Sequence, residues 1–122
     1  MLQNDKDAIR GAIGRYFEGM KTADVALLKS AFHEHANFFG DFGPDLCEAP
    51  IQGLFDWASS ELQPGQTGPD HRMEIDDIRV FGNVAVVQCR ELGFMGGDCD
   101  EVFMLVKSAG GWLITNKSWA DA

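Results

Sequence analysis

Ala8, Ile9, Ala12, Ile13, Tyr16, Phe17 and Met20 recur at three- and four-residue spacing, with Arg10, Arg15 and Glu18 on the other side. That period predicts an amphipathic first helix with one apolar stripe, capped by Asn4 or Asp5. Leu27, Leu28, Ala31 and Phe32 repeat the spacing behind the acidic residue of "TADV", so a second, shorter helix is expected from about Asp24 to Phe32. The stretch "HANFFGDFG" then alternates, with Ala36, Phe38 and Gly40 on one face and Asn37, Phe39 and Asp41 on the other. This reads as a strand stopped by Gly43-Pro44. Ile51, Leu54, Phe55, Ala58 and Leu62 predict a third helix from about Pro50 to Leu62, proline being tolerated in a first turn.

After the loop "QPGQTGPD", the period changes to two. In "HRMEIDDIRVFG", Met73 and Ile75 are in phase, whereas Ile78 and Val80 are in the opposite phase. A slip of one residue is what a β-bulge at Asp76-Asp77 produces, and bulges bend sheets around cavities. Gly82-Asn83 turns into "VAVVQCREL", and two further strand-like runs meet across Ala109-Gly110-Gly111. Strand parity puts Trp119 with Leu113 and Lys117 on one face, and Trp112 with Ile114 on the other. Helices first and a long antiparallel hairpin last predict an α+β fold, a curved antiparallel sheet covered on one face by the three helices of the first half of the chain. Function is then expected in the pocket between sheet and helices.

A chain of 122 residues is one domain's worth, 1–122, and buries roughly two-thirds of its unfolded surface without staples. Its formal charge of −9 repels phosphate backbones and anionic headgroups, which sets nucleic acid and membrane surfaces aside as partners. No basic region followed by an apolar stretch opens the sequence, and Cys47, Cys89 and Cys99 are odd in number and widely spaced. A cytoplasmic protein with free thiols is the expectation.

The candidate chemistry is sparse. His33 and His35, with the distant His71, lack the carboxylate or cysteine spacing of a metal site, so no metal and no cofactor are expected. Gly11, Gly14 and Gly19 fall inside a helical pattern and form no phosphate loop. No strand-turn-helix serine motif is present, and Cys89 has no evident base beside it. Trp119, near the open end of the cone, is the best aromatic wall for a flat ligand.

The order of elements, with "YFEGMKTADVALLKSAFHEHA", "IDDIRVFGNVAVV" and "VFMLVKSAGGWLITNKSW", resembles the nuclear transport factor 2-like superfamily. Within it the chain is most similar to the SnoaL-like and lumazine-binding families, from about Ile9 to Trp119. The resemblance implies a cone-shaped curved sheet packed on three helices, a cystatin-like, SnoaL-like α+β barrel. It also agrees with a homodimer built sheet to sheet, expected from an apolar outer face carrying Val102, Met104 and Val106 or the residues that alternate with them. Ketosteroid isomerase is a member of the superfamily. Its oxyanion tyrosine falls on Tyr16, the supporting acid falls near Glu101 with Asp100 as neighbour, and its base falls on Gly40, one residue from Asp41.

Two functional expectations follow. The first is a pocket that binds a flat or apolar small molecule, lined by Tyr16, Met20, Phe32, Phe38, Trp57, Phe103 and Trp119. The second is a cofactor-independent isomerase, cyclase or dehydratase using Tyr16 and Glu101, with Asp41 or His33 as base. A third, weaker one is an interaction module whose cone is filled by side chains. Such a filled cone would have Phe38 and Trp119 in the cavity.

Overall fold

A computed structural model describes residues 2–42 and 44–122. The chain runs α1 (Leu2–Thr22), α2 (Val25–Ser30), β1 (Phe32–Phe42), β2 (Asp45–Pro50), α3 (Gln52–Glu61), β3 (Arg72–Phe81), β4 (Val84–Phe94), β5 (Gly97–Ser108) and β6 (Gly111–Asp121). The strands form one curved open sheet in the order β2-β1-β6-β5-β4-β3. β3 to β6 are an antiparallel meander, and β1 returns to pair in parallel with β6. Among the described residues no helix is long and apolar enough to cross a membrane.

The apolar stripe of α1 buries Ile9, Ala12, Ile13, Tyr16 and Met20 against the inner face of the sheet. The inner face supplies Ala85, Val87 and Cys89 from β4, Phe103 and Leu105 from β5, and Trp112 and Ile114 from β6. Each such apolar side chain, fully buried, contributes roughly 1.5–3 kcal/mol. α1 begins at Leu2, so Asn4 and Asp5 lie inside its first turn and do not cap it. Asp5 instead accepts hydrogen bonds from Trp112 Nε1 at 3.1 Å and Lys107 Nζ at 3.0 Å, which tie the helix start to the sheet and hold the Asp5 carboxyl below its usual range. Asp24 does cap α2, accepting from the Leu27 N–H at 3.1 Å. α2 packs closely on α1 at Gly19, where a Cβ would stand 2.8 Å from the Leu28 backbone.

The register of β3 on β4 shifts between Ile75 and Asp77, which places the bulge at Asp76 as the sequence slip predicts. Two features differ from the sequence reading. β2 was not expected: it is a short edge strand beside Pro44, and only Cys47 and Ala49 are half-buried along it. Gly43, half of the expected stop, lies outside the described residues. The second difference is a register shift of β5 on β6, where Leu105 faces Ile114 and Met104 faces Asn116. Thr115 is therefore an extra residue, and it reverses the parity of everything after it. Trp112, Ile114, Lys117 and Trp119 all face inward as a result, and Leu113 alone of the expected partners of Trp119 does not. The outer face carries exposed Phe81, Val84, Val102 and Met104.

Candidate functional site

Tyr16 points from the middle of α1 into the cone, where its ring meets the edges of Phe32 and Phe103. A buried phenol needs a partner, and its hydroxyl donates to Glu91 Oε1 at 2.9 Å. Glu91 follows Val87 and Cys89 on the inward rows of β4 and is 2% exposed. Its second oxygen lies 2.5 Å from His71 Nε2, and His71 Nδ1 lies 2.9 Å from the Thr67 hydroxyl. The His71 ring is held between Phe17 and Phe94 just before β3. Burial pushes the imidazole down to about 4, Lys21 adding to the effect and Glu101 opposing it. A neutral ring donates from Nε2 to Glu91 and accepts at Nδ1 from Thr67. Thr67, His71, Glu91 and Tyr16 thus form one buried chain.

Glu101, on the inward face of β5, is 1% exposed and lies beside this chain. Lys117 Nζ stands 3.0 Å from Glu101 Oε2, but at an angle outside hydrogen-bonding geometry, so neither oxygen of Glu101 has a hydrogen-bond partner. Burial pushes the Glu101 carboxyl up to about 8; Lys117 opposes this and Glu91 reinforces it. Burial thus holds the Glu101 carboxyl toward its protonated form. Two ionised carboxylates beside one ammonium would leave a net buried charge.

Above the cluster, at the mouth of the cone, a cleft of about 260 Å³ is lined by Asp41, Phe94, Gly97, Asp98, Cys99, Trp119 and Asp121. Trp119 is its aromatic wall. The indole lies across Gly40, where a Cβ would come within 2.0 Å of the ring, and stacks on Phe38 with centroids 5.8 Å apart. Its N–H donates to the Asp41 carbonyl at 2.9 Å, and Lys117 Nζ sits 3.8 Å from its ring centroid. Cys99 connects cleft and cluster, since a ligating atom of Glu91, Cys99 and Glu101 all lie within 4.8 Å of one another. This set attracts a cation, and the Lys117 ammonium supplies one. Burial pushes the Cys99 thiol up to about 12 and the Cys89 thiol higher still, so both stay protonated.

The residues singled out in the sequence fall into three places. Tyr16, Met20, Phe32, Phe38 and Phe103 are buried, with aromatic rings in edge or stacked contact, and half-buried Trp57 packs at their margin on α3. Trp119 and Asp41 line the mouth, and Glu101 lies beneath it. His33 is on β1, where its Nδ1 accepts the His35 N–H and its ring faces His35 at 5.5 Å. The hydroxyl of Tyr16 bonds Glu91 and not Glu101. Sequence reasoning gave Glu91 and Thr67 no role, and named His71, Cys99 and Lys117 without bringing them to this cluster. Glu91 was legible, because it continues the alternation of Ala85, Val87 and Cys89.

A family model described as "Putative lumazine-binding" matches residues 4–120. An NTF2-like protein of unknown function from Shewanella baltica is 29% identical, with 98% of this chain and 94% of that one covered at a TM-score of 0.84. An NTF2-like protein with a cystatin-like fold from Novosphingobium aromaticivorans is 15% identical, with 98% and 83% covered at 0.76. A ketosteroid isomerase-like protein from Erwinia carotovora is 20% identical, with 94% of each chain covered at 0.70. The last two likenesses are of fold. No curated protein matches.

Proposed function

Because the chain belongs to the family described as putative lumazine-binding, within the NTF2-like proteins, we propose that it binds a small flat molecule at the mouth of the cone. The observation that carries this reading is the buried Glu101 carboxyl, ion-paired with Lys117 but without a hydrogen-bond partner, whose register partner Trp119 walls the cleft. A buried polar group without a partner costs about 1–3 kcal/mol, and a ligand that bonds it recovers that cost. Trp119 and Phe94 offer ring faces, and a volume of about 260 Å³ suits one or two fused rings. Asp41, Asp98 and Asp121 on the rim disfavour anions, so the ligand is neutral or cationic.

Lumazine is the first probe. It should quench the tryptophan fluorescence on titration, and Trp119→Ala should weaken binding about tenfold or more, the share of a stacking aromatic. Native mass spectrometry of the purified protein should show a retained small molecule. No quench and no retained mass would remove the reading.

A second reading, a cofactor-free isomerase, cyclase or dehydratase, is favoured by one specific observation. Glu101 holds its proton in apolar surroundings within reach of Glu91, a carboxylate fixed by Tyr16 and His71, which is an acid beside an oriented base. Gly40 offers no base, and Trp119 covers that position. The exposed apolar outer face, with Phe81, Val84, Val102 and Met104, supports a symmetric homodimer through the sheet. Sedimentation should give twice the 13.4 kDa chain mass, and Val102→Glu should return it to the monomer. A wild-type monomer at micromolar concentration would end that proposal.

A further inference from the structure

Glu91 and Cys99 are register partners across β4 and β5, and Glu101 follows Cys99 by two residues, so all three side chains leave one face of the sheet. A ligating atom of each lies within 4.8 Å of the other two. Glu91 and Glu101 are buried, whereas Cys99 is half-buried and lines the cleft, which gives an ion a path to the cluster. A second observation points to a ligand at this place. Both oxygens of Glu101 are buried without a hydrogen-bond partner, and a polar atom left in that state calls for an explanation.

We propose that Glu91, Cys99 and Glu101 bind a divalent cation of the zinc class, leaving its fourth position for water or a molecule in the cleft. The inference is independent of the flat-ligand reading, because the donors are two acids and a thiol and no aromatic face takes part. The expectation of no metal came from histidine spacing, and these donors come instead from two paired strands.

The donor set selects the ion. Magnesium and calcium want about six or more oxygens and have little affinity for sulfur, so two carboxylates and a thiol suit them poorly. Zinc takes both oxygen and sulfur, and three protein ligands with one open position is the arrangement of its open sites. A tetrahedral ion with bonds of about 2.0–2.3 Å needs ligand atoms roughly 3.3–3.8 Å apart, so side-chain adjustments of about 1 Å close the site. Glu91 is oriented in advance. Tyr16 donates to one of its oxygens and the His71 ring bonds the other, and outer partners of this kind fix a ligating carboxylate.

Charge supports the same assignment. Ionised, the two carboxylates and the thiolate carry three negative charges; the Lys117 ammonium beside Glu101 offsets one, and a divalent ion offsets the other two. Without the ion, burial holds the Cys99 thiol and the Glu101 carboxyl toward their protonated forms. A bound divalent charge reverses that preference, so one ion enters and two protons pass to solvent.

The test uses the untagged full chain, stripped with a chelator and carrying His35→Ala, which breaks the exposed His33–His35 pair as a competing surface site. Zinc titrated by calorimetry should bind at one ion per chain, and cobalt(II) should give a thiolate-to-metal charge-transfer band in the near ultraviolet. Cys99→Ser should abolish that band and weaken zinc binding about tenfold or more, the least that loss of even an outer partner costs. Glu101→Gln should weaken zinc binding by a similar factor, with circular dichroism checking that both variants fold. Cys99 is only half-buried, so Cys99→Ser decides the matter if Glu101→Gln does not fold. Absence of zinc binding overturns the proposal, and so does a cobalt band that survives Cys99→Ser, which would put the ion on another thiol. Lumazine titrated into the chelator-treated protein reads the mouth separately, so either reading can fall without the other.

Discussion

Glu91→Ala should lower the stability by about 3–5 kcal/mol, the cost of removing one member of a buried charge network. It should appear as a lower urea midpoint with an unchanged slope. Three losses converge on this residue. The Tyr16 hydroxyl and the His71 Nε2–H lose their acceptor inside the core, each a desolvated donor with no water to replace it. A void opens beside Cys99 and Glu101. The third loss is electrostatic, since Glu91 helps to raise the Glu101 carboxyl beside it and its removal lets that carboxyl fall. Glu91→Gln should cost much less, because its amide oxygen still accepts from Tyr16. A Glu91→Ala loss below about 1 kcal/mol would mean that the Thr67–His71–Glu91–Tyr16 chain does not exist in solution.

The same network shows where sequence reading stops. Apolar periodicity exposed the α1 stripe, the meander and the Asp76 bulge, because Met73 and Ile75 against Ile78 and Val80 record the slip in apolar residues. The Thr115 bulge leaves no such record. To see it one must place Lys117 inward with Trp112 and Ile114, against the strong tendency of lysine to face water. That single missed residue put Trp119 on the wrong face relative to Trp112 and hid the Glu101–Lys117 pair. β2 was hidden for a different reason: an edge strand with its burial confined to Cys47 and Ala49 carries almost no alternation. Tyr16 and Glu101 stood out from the resemblance, but their true neighbours, Glu91 and His71, are a polar end to an apolar run and a loop residue. Only the folded sheet brings them together.

Gly40 and Trp119 connect fold to function more directly than either does alone. They are register partners across the parallel β1–β6 pair, and the missing side chain of one makes room for the ring of the other. The exchange removes the position where a base would project and installs a flat wall there. No side chain projects from Gly40, and the indole of Trp119 fills the space there.

Stability should fall as the pH rises from about 6.5 to 8, by on the order of 1–2 kcal/mol in all. The sign follows from Glu101. Its carboxyl is about 8 when folded and 4.5 when unfolded, so between those values the folded state holds a proton that the unfolded chain has released. Stability from this group is complete below 4.5 and is lost as the pH climbs through 8. His71 works the other way. Its ring is at about 4 when folded and 6.5 when unfolded, so the unfolded chain binds the extra proton and stability rises with pH between those values. The two nearly cancel from about 4.5 to 6.5, and Glu101 acts alone above. Urea midpoints measured across this range should show a plateau and then a decline. Glu101→Gln, a neutral side chain of the same shape, should flatten the decline, whereas Glu101→Asp should keep one. A wild-type profile that is level from 6.5 to 8 would mean that Glu101 is ionised at neutral pH. The buried cluster would then carry two carboxylates against one ammonium, and Glu101 would have no proton to lend a ligand.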